Sequence, residues 1–285
     1  MQVTVASGKG GTGKTTVATN LAVAAAREGR QVQLIDCDVE EPNCHLFMQP
    51  KIFAREVVTV PVPVIDADRC NLCGECAAIC QFNAMACLAH SVMTFPELCH
   101  SCGGCWLVCP EQAVAQGKRE IGDLETGRAY GCDFTQGRLR IGEAQVPPLI
   151  KRVKAAGKES SLTIIDAPPG TSCPAIAALD GSDFVLLVTE PTPFGLHDLT
   201  LAVETVRLMG LPFGVVLNRE GIGDDRIQRY CRAEAIPLLC RIPDDRRIAE
   251  AYAAGILAVV AVPEIEASFR QLNDEITARS RQVAQ

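Results

Sequence analysis

Eight cysteines between residues 70 and 109 fall into two runs, Cys70-x-x-Cys73-x-x-Cys76-x-x-x-Cys80 and Cys99-x-x-Cys102-x-x-Cys105-x-x-x-Cys109, the second repeating the first 29 residues later. The repeat extends past the thiols, because Asn83-Ala84-Met85-Ala86 corresponds to Gln112-Ala113-Val114-Ala115. Three thiolates at a step of three and a fourth four residues on suit a cubane iron-sulfur cluster, with the fourth ligand given to the cluster of the other run. The spacing therefore predicts one [4Fe-4S] cluster on Cys70, Cys73, Cys76 and Cys109, and a second on Cys99, Cys102, Cys105 and Cys80. Zinc is the poorer alternative, since structural zinc takes two separated C-x-x-C pairs and has no use for a third cysteine at the same step. A disulfide framework is poorer still in a chain that otherwise reads as intracellular.

A second constellation lies at the start of the chain. The β-rich stretch 2–6 runs into Ser7-Gly8-Lys9-Gly10-Gly11-Thr12-Gly13-Lys14-Thr15-Thr16, and a helical pattern follows from Thr16 to Glu28. Gly8 to Thr15 fits G-x-x-x-x-G-K-[ST], in which loop amides and a helix N-terminus surround phosphates while the lysine and the hydroxyl hold phosphate and Mg2+. Gly8-x-Gly10-x-x-Gly13, with Asp36 ending the next strand, also fits a dinucleotide fingerprint. Lys14 and Thr15 favour the first reading, because a dinucleotide loop needs neither a cation nor a magnesium-binding hydroxyl there. Two further carboxylate-ended strands follow. Residues 31–36 lead into Cys37-Asp38-Val39-Glu40-Glu41, and Leu162-Thr163-Ile164-Ile165-Asp166 leads into Ala167-Pro168-Pro169-Gly170. Carboxylates just past strand C-termini lie where α/β proteins bind ligands. Either Asp36 or Asp38 could be the working group of the first pair.

The cysteine runs resemble a bacterial two-cluster ferredoxin module, with one departure: Pro110 follows Cys109 as that pattern expects, whereas Gln81 follows Cys80. Lys9 to Thr16 resembles the deviant Walker A motif of the MinD/ParA family, which includes the nitrogenase iron protein. The resemblance implies ATP with Mg2+ as ligand and an ATP-dependent homodimer in which Lys9 reaches the partner's nucleotide. It also implies that Asp38 directs the attacking water, Asp166 sits beside the magnesium, and Gly170 senses the γ-phosphate. Asn218 would then read adenine, and Pro243 and Asp244 would belong to the loop that closes over the base. Both could instead be a turn and a helix cap. Cys173 stands seven residues past Asp166, the spacing at which the nitrogenase iron protein carries the ligand of its bridging cluster. The alternative is a small buried thiol. Cys37, Cys44, Cys87, Cys132, Cys231 and Cys240 show no ligand spacing and are expected in core packing.

These sites require an α/β fold, a mostly parallel P-loop sheet, interrupted by a small α+β ferredoxin-like insert. The expected division is 1–59 and 118–285 for the ATPase part and 60–117 for the insert. Residues 57–65 alternate but contain Pro61 and Pro63, which bar a central strand and mark where the insert begins. The insert is too small to hold together by apolar burial alone, so its clusters should supply much of its folding free energy. Residues 128–134 and 138–142 read as a hairpin turning at Thr135-Gln136-Gly137. A helix is expected from 147 to 157, then strands at 184–188 and 213–217 around a helix from 196 to 209, and a last helix from 263.

Composition narrows the function. The 285 residues are 48% hydrophobic, and a net charge of −7 gives no general attraction to nucleic acid or anionic membrane. The last helix has mixed charges, unlike a basic membrane-binding tip. No apolar run reaches transmembrane length and no signal peptide is apparent, so a cytoplasmic protein without stable membrane insertion is expected. Three functions follow from the combination: ATP-gated electron transfer through two [4Fe-4S] clusters, an iron-sulfur scaffold or carrier, or a positioning ATPase whose clusters sense redox state or hold a docking domain together. The partner expected in the first two is a redox or iron-sulfur acceptor protein, possibly a related ATPase.

Overall fold

The computed structural model describes residues 1–157 and 160–283, without side chains beyond 280. In chain order the elements are β1 (Gln2–Ala6), α1 (Lys14–Arg27), β2 (Val32–Asp36), α2 (Cys44–Met48), β3 (Lys51–Ile65), α3 (Glu75–Ala78), β4 (Met85–Cys87), β5 (Val92–Thr94), α4 (Gly104–Leu107), β6 (Val114–Ala129) and β7 (Cys132–Leu139). There follow α5 (Val146–Ala155), β8 (Leu162–Asp166), α6 (Cys173–Leu179), β9 (Phe184–Thr189), α7 (Pro193–Leu208), β10 (Phe213–Glu220), α8 (Arg226–Ala233), β11 (Leu238–Pro243), α9 (Arg246–Ala253), α10 (Ala258–Ala261) and α11 (Pro263–Val283). The chain forms two compact units, one of residues 1–55, 124–138 and 150–285 and the other of 56–123 and 139–149. It passes between them within β3, β6, β7 and α5.

Nine strands make one sheet in the order β11-β10-β9-β1-β8-β2-β7-β6-β3. From β11 to β7 every neighbouring pair is parallel. Buried parallel strands carry near-continuous apolar runs, and β9, Phe-Val-Leu-Leu-Val-Thr, is buried at every position. In the larger unit the core joins Val17, Leu21 and Ala24 of α1 to Phe269, Leu272 and Ile276 of α11, with Leu34, Phe134 and Phe184 from the strands. No helix among the described residues is long and apolar enough to cross a membrane. β3 lies at the sheet edge, where Pro61 and Pro63 cost no central ladder bond.

The expected turn at 135–137 is wrong. β6 and β7 are instead joined at Tyr130-Gly131, whose φ values are 49° and 81°. Two consecutive positive φ angles suit a two-residue hairpin turn, and Arg140 N donates to Ile121 O in the same register. Thr135 and Gln136 are mid-strand, paired with Ile35 and Asp36. Gly137 misled because it is the glycine of a strand and not of the turn.

In the smaller unit the 29-residue sequence repeat is a repeat of backbone conformation. Leu72, Gly74 and Asn83 have φ of 60°, 82° and 52°, and Ser101, Gly103 and Gln112 have 56°, 83° and 50°. Four-residue helices α3 and α4 begin directly after the two glycines. Asp66 N donates to Ala113 O and, 29 residues on, Phe95 N donates to Ala84 O, both at 2.8 Å. The buried clusters here are small, Val62, Ala84 and Cys99 in one and Cys76, Met85 and Val114 in the other, with cysteines filling much of the space.

Candidate functional site

The sequence around β1 enforces a tight strand-to-helix loop. Gly13 caps α1 in the left-handed region at φ 95°, and a Cβ there would come within 2.3 Å of Asn218 Nδ2. A Cβ on Gly8 would meet Asp198 O at 2.0 Å, whereas Gly10 and Gly11 face open space. The backbone is thus held at its two ends and bare in the middle, as a phosphate cradle requires. Thr12 Oγ1 is buried without a hydrogen-bond partner. Lys14 is buried in the first turn of α1, and Thr16 O accepts from Asn20 Nδ2 at 2.7 Å.

Thr15 Oγ1 donates to Asp166 Oδ2 at 2.6 Å. Asp166 ends β8 and stands opposite Asp36, the end of β2, in the parallel register. Both carboxyls are fully buried. Asp36 accepts from Cys44 N at 2.9 Å and from Asp38 N at 3.1 Å. Asp36 and Asp38 differ accordingly: Asp36 is tied to backbone, and Asp38 is partly open. Gly170 N donates to Ser7 O at 2.9 Å with Gly170 at φ 88°. Asn218 donates to Thr12 O at 2.9 Å, which joins the end of β10 to the loop. Asp244 N donates to Glu220 O, anchoring the segment after Pro243. Lys9 is not solvent-facing alone; its Nζ lies 2.8 Å from Glu190 Oε1, and Arg219 lies 3.6 Å from the other oxygen. Glu190 carries no sequence motif, so nothing along the chain singled it out.

The carboxyls are electrostatically opposed. Burial raises the pKa of Asp166 despite Lys14, which lowers it. Burial and then repulsion from Asp166 raise Asp36 well above the carboxylate range. Asp38 is pushed up to about 6 by burial, with Lys14 pulling down and Asp166 pushing up.

In the smaller unit, Cys70, Cys73, Cys76 and Cys109 line one cavity with Asn71, Gly74 and Glu111. Cys80, Cys99, Cys102 and Cys105 line a second with Phe82, His100 and Trp106. Backbone N–H groups point at three of these sulfurs: Ala84 N to Cys80 at 3.3 Å, Ala113 N to Cys109 at 3.2 Å and Ser101 N to Cys99 at 3.4 Å. The first two are equivalent positions of the repeat. Phe82 and His100 stack at 3.7 Å between centroids beside the second quartet.

Of the remaining cysteines, Cys37, Cys44, Cys132, Cys231 and Cys240 are buried, Cys87 is half-buried, and Cys173 is exposed at the start of α6. The buried-thiol alternative for Cys173 is therefore wrong, and Cys87 departs from core packing. Burial pushes the Cys132 thiol up to about 12. Cys44 has more than packing: its Sγ lies 3.4 Å from Asp166 Oδ2. Because the folded pKa of Asp36 exceeds its unfolded value near ~4, the folded chain holds the extra proton and loses stability as pH rises from there toward the folded pKa. Asp36→Asn should therefore gain in denaturant midpoint relative to the native protein as pH goes from 4 to 8 without nucleotide. A difference constant over that range would contradict the assignment.

The family pattern of CbiA, the CobQ/CobB/MinD/ParA nucleotide binding domain, matches residues 3–258. An uncharacterised protein of Methanocaldococcus jannaschii is 31% identical over 258 residues, 90% of each chain. An iron-sulfur cluster carrier protein of Pyrococcus abyssi is 25% identical, over 91% of this chain and 79% of its own. Among solved structures, the cell division ATPase MinD of Pyrococcus furiosus is similar at a TM-score of 0.60 and 26% identity, covering 97% of this chain and 98% of that one. With its parallel sheet, glycine-bounded loop and buried strand-end carboxyls, the chain belongs to the CobQ/CobB/MinD/ParA family of nucleotide-binding P-loop ATPases.

Proposed function

We propose that this protein hydrolyses ATP as a nucleotide-bridged homodimer and uses the nucleotide cycle to gate electron transfer through two [4Fe-4S] clusters to a protein acceptor. The observation that carries the cluster part is the sorting of eight cysteines into two quartets, each lining its own cavity, with Cys109 and Cys80 each beside the three cysteines of the other run. The N–H groups aimed at Cys80, Cys99 and Cys109 suit bound thiolates. When bound, the clusters would supply one-electron transfer at potentials set by those donors and by solvent access.

The residues of the first unit suit Mg-ATP. The orphaned Thr12 hydroxyl, the bare Gly10–Gly11 backbone and the partnerless Asp166 Oδ1 await polar partners that phosphate, water and magnesium would provide. Lys14 and the loop amides would neutralise phosphate charge, and Thr15 and Asp166 would hold the magnesium, which would supply further positive charge at the phosphates. Asp38 orients the attacking water, Asn218 reads the base with Pro243 and Asp244 closing over it, and Gly170 follows the γ-phosphate. Lys9 exchanges Glu190 of its own chain for the partner's phosphates on dimerisation. The cysteine unit is inserted between Asp38 and Asp166 in the chain, so both of its ends continue into segments that respond to hydrolysis.

A carrier reading has one specific support, the likeness to the iron-sulfur cluster carrier protein of Pyrococcus abyssi. Crossed quartets of this kind, however, suit clusters held permanently, which favours electron transfer. In the positioning reading the clusters would be redox sensors or structural pins, and nothing in the mixed-charge α11 favours membrane attachment.

Stopped-flow reoxidation of the dithionite-reduced protein by an excess of artificial acceptor tests the proposal. The rate should differ at least several-fold between ATP and ADP, and Lys14→Ala should abolish the difference. Equal rates with either nucleotide, or loss of iron and sulfide to an apo-acceptor on ATP addition, would count against it. Because Asp38 is pushed up to about 6 and works as a carboxylate, ATP hydrolysis should fall as pH drops through about 6. Asp38→Asn should be slow throughout and lack that step, and an unchanged pH profile in the variant would remove Asp38 from the reaction.

A further inference from the structure

Cys44 is a buried side chain for which the nucleotide chemistry has no use. It opens α2, and its position in the chain says nothing about partners, since it lies 122 residues from the aspartate it touches. The fold brings one ligand atom from each of Asp36, Cys44 and Asp166 within 4.8 Å of one another, all three residues being buried. Cys44 is bound into the group twice. Its N–H donates to Asp36 Oδ2 at 2.9 Å, and its thiol lies 3.4 Å from Asp166 Oδ2. That second distance is close to the edge of a tetrahedron of sulfur and oxygen ligands about a metal, roughly 3.5 Å from metal–ligand lengths of about 2.0–2.3 Å.

The charges and polar atoms at this point are unbalanced. Asp166 Oδ2 takes both the Thr15 hydroxyl and the Cys44 thiol, while Asp166 Oδ1, equally buried, has no hydrogen-bond partner. A buried carboxylate oxygen with nothing to accept from is costly unless a cation occupies its lone-pair direction. Lys14 acts on both Asp38 and Asp166, lowering each. We propose that Asp36, Cys44 and Asp166 form a binding site for a thiophilic divalent cation, zinc or ferrous iron, in the nucleotide-free protein. Thr15 Oγ1 or water completes the coordination.

The donor set decides the class of ion. Magnesium and calcium take oxygen ligands and gain nothing from sulfur. Zinc and ferrous iron accept thiolate, imidazole and carboxylate together. On coordination the S–H bond of Cys44 is broken, its proton leaves to solvent, and the thiolate carries the third negative charge of the site. Cys44→Ser would preserve the shape and leave an all-oxygen site.

The test uses anaerobically purified protein with its bound iron intact and without nucleotide, dialysed against zinc at fixed free concentration. The native protein should retain one zinc per chain more than Cys44→Ser, and Asp36→Asn should lose the same equivalent, while Cys173→Ser keeps it. Iron content should not change. X-ray absorption at the zinc edge of the native protein should show a single sulfur at about 2.3 Å with the remaining ligands oxygen. This spectrum needs no variant to fold. Equal zinc in native and Cys44→Ser protein, a sulfur-free zinc shell, or an all-sulfur shell drawn from the cysteine quartets would each overturn the assignment.

Discussion

The parallel register of β2 and β8 sets Asp36 opposite Asp166, two carboxyls at the ends of neighbouring buried strands. Most of the larger unit can be understood as an answer to that placement. Burial holds both groups toward the protonated form, and repulsion from Asp166 adds to it at Asp36, so the site has little tolerance for negative charge without a cation. Lys14 enters from the first turn of α1, Thr15 donates to Asp166, and two backbone N–H groups after β2 turn back to Asp36. Asp38, two residues on, escapes the worst of the burial and remains available for chemistry. A nucleotide with its metal would supply the positive charge and polar partners that the bare loop lacks.

The smaller unit is organised by a different constraint. Its apolar interior is thin, and what repeats is backbone: three left-handed residues at matching places in each half, two single-turn helices, and the same N–H to sulfur contacts at Cys80 and Cys109. Leu72 and Ser101 are not residues that favour positive φ, and contacts with a group enclosed by the loops would offset that cost. Four thiolates on one cubane would do so. Without a cluster the same loops have little apolar burial with which to resist unfolding.

The loop of β1, the strands ending at Asp36 and Asp166, and the alternation of buried strand with helix after residue 160 were legible because glycine, lysine and short apolar runs impose strong local rules. The grouping of the eight cysteines at two cavities follows the fixed step of three in the sequence, and their role as cluster ligands belongs to the proposal. Three features were not legible. The hairpin turn fell at Tyr130-Gly131 because a left-handed tyrosine is uncommon and Gly137 offered the more obvious break. The Lys9–Glu190 pair depends on β9 lying beside β1, a contact across 181 residues. Cys44 resembled any small buried thiol until the fold set it against Asp166.

The central claim is the proposed link between nucleotide state and cluster state, which rests on the cysteine runs lying in the chain between Asp38 and Asp166. An EPR-monitored redox titration of the anaerobic protein, with Mg-ATP, with Mg-ADP and without nucleotide, tests this most directly. The account predicts two [4Fe-4S] signals per chain and a midpoint potential for at least one of them that shifts on ATP binding, with no shift in Lys14→Ala. Potentials identical in all three states, or signals that account for fewer than two clusters in fully iron-loaded protein, would contradict it.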